Sequence, residues 1–499
     1  MWQPRSCTVS TSSCSSGLKP RTSTCSASLC ECHARRRHGW PSAHGGPFAV
    51  AESRNTDKCD VVVIGAGFAG LSAAVRLAAS GKAVTVVEEA PRLGGRATAF
   101  TDRETGQRLD NGQHALFGCY RETYDFLRVI GTLDLAPLDP TLRLTMADVG
   151  GRASTLTCPS WPPPWHLVGG LLRWKALPLR DRFAATRLLG LLSAVRRDGA
   201  ERAAARVAPD LTVTDWLREQ RQPTSLCEWL WHPLAFAALN QDPGVAAAQP
   251  FVRVVGELFG PSPGASSLGI PSVPLDELYA EPAARFIESR GGKMLRGIRA
   301  IVDVDPVGRE HRVYAGDEIL RPGAVISAVP WHAFDRLWRH EVPKRLVRIA
   351  DAARQTQSAP IVTVNLWFDR PVMTERQIGF VGTQFHWVFN KGSLLYSLVA
   401  SGAEGLLRQE NNELAALAER ELRACVSGAA AAVCERSLVV RESRATFSLA
   451  PGAPPRPSTQ TLVPGIFLAG DWTDTGLPGT IEGAVLSGHR AAAAAMITL

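Results

Sequence analysis

The sequence contains no run of about 18 uninterrupted apolar residues, the length that a membrane-spanning helix requires. It also has little excess charge, because 55 Lys and Arg against 47 Asp and Glu give a formal net charge of +8. Residues 1–58 hold eight basic and three acidic side chains, so most of this excess belongs to that segment. The rest of the chain has no basic helix or nucleic-acid motif, and we therefore expect no nucleic-acid partner.

Cysteines follow no repeated spacing. Five of the eleven lie in the first 32 residues, and the other six are scattered between Cys59 and Cys434. This distribution predicts reduced thiols in a cytosolic enzyme. The run from Cys30 to His33 has no second ligand pair at zinc-like spacing, so we expect no metal site.

Residues 1–58 differ in composition from the remainder. They are rich in Ser, Arg, Cys and Gly and lack apolar periodicity, which predicts a disordered tail. Their basic, acid-poor character is typical of a transit peptide, and the alternative is an upstream extension before the true start. On either interpretation we expect this segment to be dispensable for cofactor binding and turnover.

The most informative stretch runs from Asp60 to Arg96, where a strand, a glycine-rich turn, a helix and a second strand follow in order. Gly65, Gly67 and Gly70 have the spacing of a dinucleotide-binding turn. The first permits the tight turn, the second lets a pyrophosphate approach, and the third lets helix and strand pack closely. Glu88 ends the second strand, 18 residues after Gly70, where a carboxylate can accept hydrogen bonds from a ribose.

A second glycine pair follows in Leu93-Gly94-Gly95-Arg96. The acid at the strand end favours an unphosphorylated ribose, as in NAD or FAD. The glycine pair with its arginine favours FAD, because two-lobed flavoproteins extend the nucleotide site in this way. Together these residues resemble the FAD-dependent amine oxidase and phytoene desaturase superfamily.

The C-terminal region repeats the pattern of strand and turn from Gly465 to Asp471, and a helix follows from Thr480 to Ala495. We expect Asp471 to meet the ribityl or phosphate end of FAD. The N-terminus of the last helix would face the flavin pyrimidine edge and stabilise negative charge on a reduced flavin. The expected cofactor contacts are Gly65, Gly67, Phe68, Ala69, Gly70, Glu88, Gly94, Gly95, Arg96, Gly470, Asp471, Thr480 and Ile481.

Two segments resemble one particular family within this superfamily. Residues 110–131 (DNGQHALFGCYRETYDFLRVIG) and 468–492 (LAGDWTDTGLPGTIEGAVLSGHRAA) resemble the hydroxysqualene dehydroxylases, whereas residues 251–270 are richer in Gly and Pro than this family suggests. The resemblance extends from about residue 59 to the C-terminus. It implies an FAD-dependent enzyme that reduces hydroxysqualene, a long isoprenoid, to squalene.

The same resemblance implies an α/β fold: a two-lobed, Rossmann-like FAD-binding oxidoreductase of the amine oxidase type. The FAD lobe is expected at about 59–147, 285–330 and 455–499. The substrate lobe is expected at about 148–284 and 331–454. The apolar and aromatic run from Trp229 to Asn240 is expected to line the substrate pocket.

Loss of an allylic hydroxyl requires a proton donor, a hydride donor and an apolar channel. Asp474 and His114 are the first candidate proton donors, and Glu482 is the third, because all three lie on segments expected to reach the flavin. Structural roles are the alternative for these side chains. The chain has a single dinucleotide fingerprint, so an external electron donor of unknown identity is expected to reduce the flavin.

Three other functions stay open. An oxidative carotenoid desaturase would share the fold and the FAD motifs and differ in its pocket. An amine oxidase places two aromatic side chains before the flavin, but residues 470–490 contain Trp472 and no Tyr, and the whole chain has five Tyr. A non-enzymatic lipid-escort protein is disfavoured by the intact glycine motifs, Glu88, Arg96 and Asp471.

Residues 161–190 interleave apolar side chains with arginines. Trp161, Trp165 and Trp174 would lie at headgroup level if this segment rested on a membrane. The alternative is a helix covered by protein. The first interpretation predicts a cytoplasmic enzyme attached peripherally to the inner face of the membrane.

Overall fold

Two seven-stranded sheets organise the chain, in a computed structural model that describes residues 58–305 and 310–499. The expected tail, apart from Lys58, lies outside the described residues. The strands are β1 (Lys58–Ile64), β2 (Val84–Glu88), β3 (Ala99–Thr101), β4 (Arg108–Asp110), β5 (Leu116–Phe117), β6 (Arg143–Asp148), β7 (Ala153–Thr157), β8 (Leu268–Gly269), β9 (Lys293–Arg296), β10 (Ala300–Asp303), β11 (Arg312–Ala315), β12 (Glu318–Ser327), β13 (Ser358–Phe368), β14 (Gln377–Val381), β15 (Trp387–Asn390), β16 (Leu395–Ser401), β17 (Cys434–Phe447) and β18 (Ile466–Leu468).

Helices pack against both sheets. They are α1 (Phe68–Ala79), α2 (Arg121–Val129), α3 (Trp165–Arg173), α4 (Leu179–Arg182), α5 (Leu189–Asp198), α6 (Ala200–Ala204), α7 (Val213–Glu219), α8 (Thr224–Leu226), α9 (His232–Leu239), α10 (Ala248–Phe259), α11 (Glu281–Ser289), α12 (Val347–Gln355), α13 (Asn411–Cys425) and α14 (Ile481–Thr498). The α/β architecture expected from the sequence is confirmed.

The first sheet has a parallel centre in the order β18-β12-β1-β2-β9. β12 is long enough to pair with β11 along its first half and with β18 along its second. The apolar run of β1 explains its central position, because Val61, Val62 and Val63 are fully buried. Val61 and Val63 pack under α1, α11 and α14, while Val62 belongs to the core on the opposite face.

The second sheet has the order β17-β13-β16-β15-β14-β6-β7 and is antiparallel except between β14 and β6. α13 packs against β13 and β17 through the buried side chains Leu414, Ala418 and Leu422. All described residues belong to one compact unit. The lobe boundaries expected from the sequence therefore stay a prediction.

Residues 161–190 form α3, α4, a 3-10 helix (Ala184–Leu188) and the start of α5. Trp161 and Trp165 are 45% and 54% exposed, as a surface segment requires. Trp174 is 1% exposed and packs edge to face against Trp229 in the core. The expectation that Trp174 lies at headgroup level is therefore wrong. In the part of the chain that the structure describes, every helix is too short or too polar to cross a bilayer.

Candidate active site

The turn between β1 and α1 borders a deep cleft. Gly65 has a φ of +104°, a left-handed conformation that favours glycine. A Cβ on Gly70 would lie 1.8 Å from the carbonyl oxygen of Gly65, so the turn can close only without a side chain there. A Cβ on Gly67 would meet no atom nearer than 3.8 Å. Gly67 also begins α1 without a side-chain cap, which leaves the helix N-terminus suited to an anion.

Glu88 is fixed at the wall of this cleft by backbone N–H groups. Its carboxylate oxygens accept hydrogen bonds from the N–H of Ala66 at 2.6 Å and of Ala90 at 2.9 Å. Burial raises the pKa of Glu88 above its usual value, although these two hydrogen bonds oppose the shift. Each oxygen keeps a lone pair that the hydroxyls of a ribose could use.

Arg96 joins the two ends of the chain. Its Nη2 lies 2.5 Å from Oδ1 of Asp471, and its Nη1 donates to the carbonyl oxygen of Ala445 at 2.7 Å. Burial acts to lower the pKa of Arg96, but the charge and hydrogen bond of Asp471 raise it above its usual value. Gly94 and Gly95, with φ of +106° and +58°, bend the backbone so that Arg96 can reach this partner.

The first turn of α14 borders the same cleft. The hydroxyl of Thr480 caps this helix by accepting a hydrogen bond from the N–H of Gly483 at 3.1 Å. Gly470, at the end of β18, donates its N–H to Oγ of Ser487 at 2.8 Å, which ties the turn after the strand to the helix. Both chain termini of the described fold therefore contribute to one cavity.

The cleft has a volume of about 410 Å³ and is lined by every expected cofactor contact except Gly70. Gly70 instead fills the tight contact between turn and helix. A helix N-terminus without a side-chain cap, a carboxylate, an arginine and glycines without Cβ atoms match the phosphates and ribose of a dinucleotide. The residues present thus fit a flavin dinucleotide.

A second cavity, of about 250 Å³, adjoins the cleft. Most of its wall is apolar or aromatic and includes Phe117, Leu142, Leu144, Leu230, Leu234, Leu258, Phe259, Trp387 and Phe389. We call it the apolar pocket. The residues that line both cavities are Arg96, His114, Glu442, Ala445, Gly479, Thr480 and Ile481. The apolar pocket therefore meets the cofactor cleft at a polar junction.

One wall of the apolar pocket is a helix with a wide turn inside it. α8 and α9 are joined by a π-helical turn, Cys227–Trp231. Leu230, Pro233, Leu234 and Ala237 line the pocket at helical spacing. Trp229 and Trp231 lie instead in the core, so only one face of the expected pocket segment reaches the cavity.

His114 is the expected proton donor that reaches the junction. Its Nδ1 lies 2.9 Å from the carbonyl oxygen of Gly112, which can only accept, so Nδ1 carries a proton. Burial lowers the pKa of His114; the charge of Asp110 opposes this shift and that of Lys391 adds to it. Lys391 itself donates to Asp110 at 3.1 Å.

The other two candidates lie away from both cavities. The side chain of Asp474 is 65% exposed and faces Arg456 at 3.6 Å. Glu482 is buried, but it caps the start of α2: its carboxylate accepts hydrogen bonds from the N–H groups of Glu122 and Thr123 and from the Thr123 hydroxyl. Of the three candidate proton donors, His114 is the one that lines both cavities.

Two further side chains were not expected from the sequence: one lines both cavities, and the other contacts residues that line the cofactor cleft. Glu442, on β17, lines both cavities. Tyr279 stacks on Phe68 at 3.5 Å between ring centres, and its hydroxyl lies 2.8 Å from the carbonyl oxygen of Gly94. Neither residue belongs to a local motif, so no signal in the sequence could have placed them there.

Known proteins share both the sequence pattern and the fold. The family described as flavin containing amine oxidoreductase matches residues 68–496. The hydroxysqualene dehydroxylase of Sinorhizobium fredii is 30% identical over 450 residues, which are 87% of this chain and 97% of that protein. The zeta-carotene desaturase of Zea mays is 26% identical, over 87% of this chain and 83% of that protein.

Solved structures extend the comparison. Cyclohexylamine oxidase from Brevibacterium oxydans superposes with a TM-score of 0.63, covering 88% of this chain and 99% of that one. Its sequence is 18% identical, so this likeness concerns the fold alone.

Proposed function

Because the chain belongs to the flavin-containing amine oxidoreductases, and within them to the hydroxysqualene dehydroxylases, we propose that it reductively removes the allylic hydroxyl of hydroxysqualene to form squalene. The observation that carries this proposal is an apolar pocket that meets the flavin cleft at a polar junction. A long isoprenoid would contact the apolar wall, and its hydroxyl would lie at the junction, beside His114.

FAD is the flavin that suits the cleft. The N-terminus of α1 would hold the pyrophosphate, and Glu88 would bind the ribose and repel a 2′-phosphate. Arg96 and Asp471 would hold the middle of the cofactor, and the first turn of α14 would face the pyrimidine edge. When bound and reduced, FAD would supply the hydride that replaces the hydroxyl.

His114 would supply the proton to the departing hydroxyl. Since Nδ1 donates to Gly112, the acidic form is the imidazolium that also carries a proton on Nε2. Burial, opposed by Asp110, lowers the pKa of His114, so this imidazolium is a stronger acid than an ordinary histidine but less abundant at neutral pH. The rate of the chemical step should therefore rise as the pH falls toward that lowered pKa.

Anaerobic single turnover tests the proposal. Chemically reduced holoenzyme, mixed with hydroxysqualene, should form squalene without the external donor. His114→Ala should slow this step by about a hundredfold or more. Asp474→Asn, whose side chain lies outside both cavities, should react at the wild-type rate. Squalene formation by His114→Ala at the wild-type rate, with normal flavin content, would remove His114 from the mechanism.

A carotenoid desaturase is the second candidate, because a zeta-carotene desaturase is also similar over most of the chain. Oxidised holoenzyme incubated with phytoene separates the two functions: we expect no dehydrogenated product. An amine oxidase is disfavoured, because Trp472 donates its Nε1 to the carbonyl oxygen of Val329 and lines the cofactor cleft but not the apolar pocket.

Peripheral attachment to the inner face of the membrane is supported by an exposed apolar surface beside the substrate region. Its side chains are Trp161, Trp165, Leu179 and Phe183, each at least 45% exposed. Arg173 lies over the ring of Trp161 at 5.2 Å, which places a cation next to this surface. α3 packs against β7, next to β6, whose Leu144 lines the apolar pocket. The exposed surface and the apolar pocket are thus linked through α3, β7 and β6.

Flotation with vesicles of anionic phospholipid tests this attachment. The wild type should float, and the double variant Trp161→Ala/Trp165→Ala should not. Leu462→Ala removes an exposed apolar side chain outside this surface and should float normally. Equal flotation of the double variant and the wild type would show that this surface does not bind lipid.

A further inference from the structure

Glu442 is the only acidic side chain that lines the apolar pocket among the described residues. It lies on β17, where it pairs with Ile361 of β13, and it is half-buried. It also lines the cofactor cleft, so its carboxylate stands where a substrate carbon would approach the flavin. The proton transfer from His114 does not require this side chain.

Both oxygens of the Glu442 carboxylate accept hydrogen bonds. The side-chain amide of Asn111 donates to Oε2 at 3.1 Å, and the backbone N–H of Arg444 donates to Oε1 at 3.3 Å. Both neighbours are donors, so they hold the carboxylate in place with its oxygens acting as acceptors. Burial acts to lower the pKa of Arg96, whereas Asp471 raises it most and the charge of Glu442 also raises it. The guanidinium of Arg96 and the carboxylate of Glu442 therefore lie within electrostatic range.

A fixed negative charge at this place has a chemical use. The guanidinium of Arg96 already contacts Asp471 and the carbonyl oxygen of Ala445, so its charge is largely engaged. Beyond the junction most of the pocket wall is apolar, and apolar surroundings strengthen an electrostatic interaction. Aromatic rings in the same wall, such as Tyr120, Trp387 and Phe389, also favour a cation over a neutral ligand.

We propose that Glu442 is the counter-charge for the allylic cation that forms when the hydroxyl departs. The inference rests on the proposed function. The carbon–oxygen bond breaks, and the oxygen keeps its electron pair. One proton, from His114, converts the departing group to water, and the carbon carries one positive charge until a hydride from the reduced flavin reaches it. The carboxylate of Glu442 takes no proton and forms no bond, and it lowers the energy of the cation by its charge alone.

Binding of a cation analogue tests this role without turnover. The probe is an isoprenoid amine whose nitrogen replaces the carbon that bears the hydroxyl and whose adjacent double bond is saturated, so that the nitrogen is protonated at neutral pH. The matching hydrocarbon is its neutral reference. Oxidised wild-type holoenzyme should bind the amine more tightly than the hydrocarbon, as measured by perturbation of the flavin absorbance. Glu442→Gln should reduce this preference by roughly tenfold or more, because the amide keeps the shape and loses the charge.

Two further variants control the measurement. Glu435→Gln makes the same change at an exposed position of β17 and should keep the wild-type preference. Glu442→Asp retains the negative charge and should keep most of the preference for the amine. Amine and hydrocarbon bound equally by the wild type would overturn the proposal even if Glu442→Gln failed to fold. An undiminished preference in Glu442→Gln would also overturn it, while squalene formation by the wild type would leave the proposed function intact.

Discussion

Glu482 should make the fold less stable as the pH rises. Its carboxylate is 7% exposed and accepts three hydrogen bonds at the start of α2. Burial outweighs these bonds and raises the pKa from 4.5 to about 7. Between those two values the folded protein holds a proton that the unfolded chain has released, so the free energy of unfolding falls with rising pH. From pH 5 to pH 8 the loss attributable to this group is about 2.5 kcal/mol.

Urea unfolding at several pH values measures this loss. His489 contacts Glu122 beside the same helix, and burial lowers the pKa of this histidine. The informative quantity is therefore the difference between the wild type and Glu482→Gln. Between pH 5 and pH 8, the free energy of unfolding of the wild type should fall by about 2.5 kcal/mol relative to that of Glu482→Gln. Glu435→Gln, on an exposed part of β17, should follow the wild type. If the wild type instead gained stability relative to Glu482→Gln as the pH rose, the hydrogen bonds at the helix start would outweigh burial.

Two pairs of substitutions should separate ligand binding from folding. Gly67→Val should fold and lose the yellow flavin, because its side chain would enter the open cleft, whereas Gly70→Ala should destabilise the fold by about 1–3 kcal/mol, because its Cβ would overlap the Gly65 carbonyl. On α9, Ala237→Phe should keep the flavin and lose substrate binding, since this position lines the apolar pocket. Ala235→Phe, at a fully buried position, should instead lower stability by about 1–3 kcal/mol. Flavin absorbance, urea unfolding and substrate titration measure these outcomes; full flavin content in Gly67→Val or normal substrate binding by Ala237→Phe would contradict the assignment of the cavities.

The cofactor cleft was predictable because its geometry is local. Gly65, Gly67 and Gly70 lie in one turn, and Glu88 follows after one helix, so a single strand–turn–helix–strand unit fixes their relative positions. Asp471 lies far along the chain, but the strand and turn that lead to it form a second recognisable pattern. The parallel pairing of β18 with β12 then brings it to Arg96 without further information.

The junction with the apolar pocket was not predictable in the same way. Glu442 reaches it through the pairing of β17 with β13, whose register shifts between the pairs Ala359–Thr446 and Ile361–Glu442. A shift of one residue would place a neighbour of Glu442 on that face. Such irregularities arise from packing between strands that are distant in sequence, and no periodicity in β17 records them.

The wall of the apolar pocket was predicted only in part, again because packing between distant parts of the chain decides which side chains reach the cavity. The positions of Leu230, Leu234 and Ala237 follow an ordinary helical period, so an apolar stripe was visible. The opposite stripe, with Trp231 and Ala235, is equally apolar because it packs in the core. A helix that is apolar on both faces does not reveal which face lines a cavity. The π turn before α9 also changes the helical phase between α8 and α9.

The charges at the junction indicate what distinguishes a dehydroxylase from a desaturase on this fold. Hydride transfer to an allylic cation and hydride removal that creates one pass through the same charge distribution, so a carboxylate such as Glu442 would serve either direction. Departure of a hydroxyl additionally requires a proton at the oxygen, and dehydrogenation does not. In the mechanism that we propose, His114, with Nδ1 bonded to Gly112 and a pKa lowered by burial, would provide this proton. On this proposal the histidine, rather than the carboxylate, is the feature of the site that favours removal of a hydroxyl.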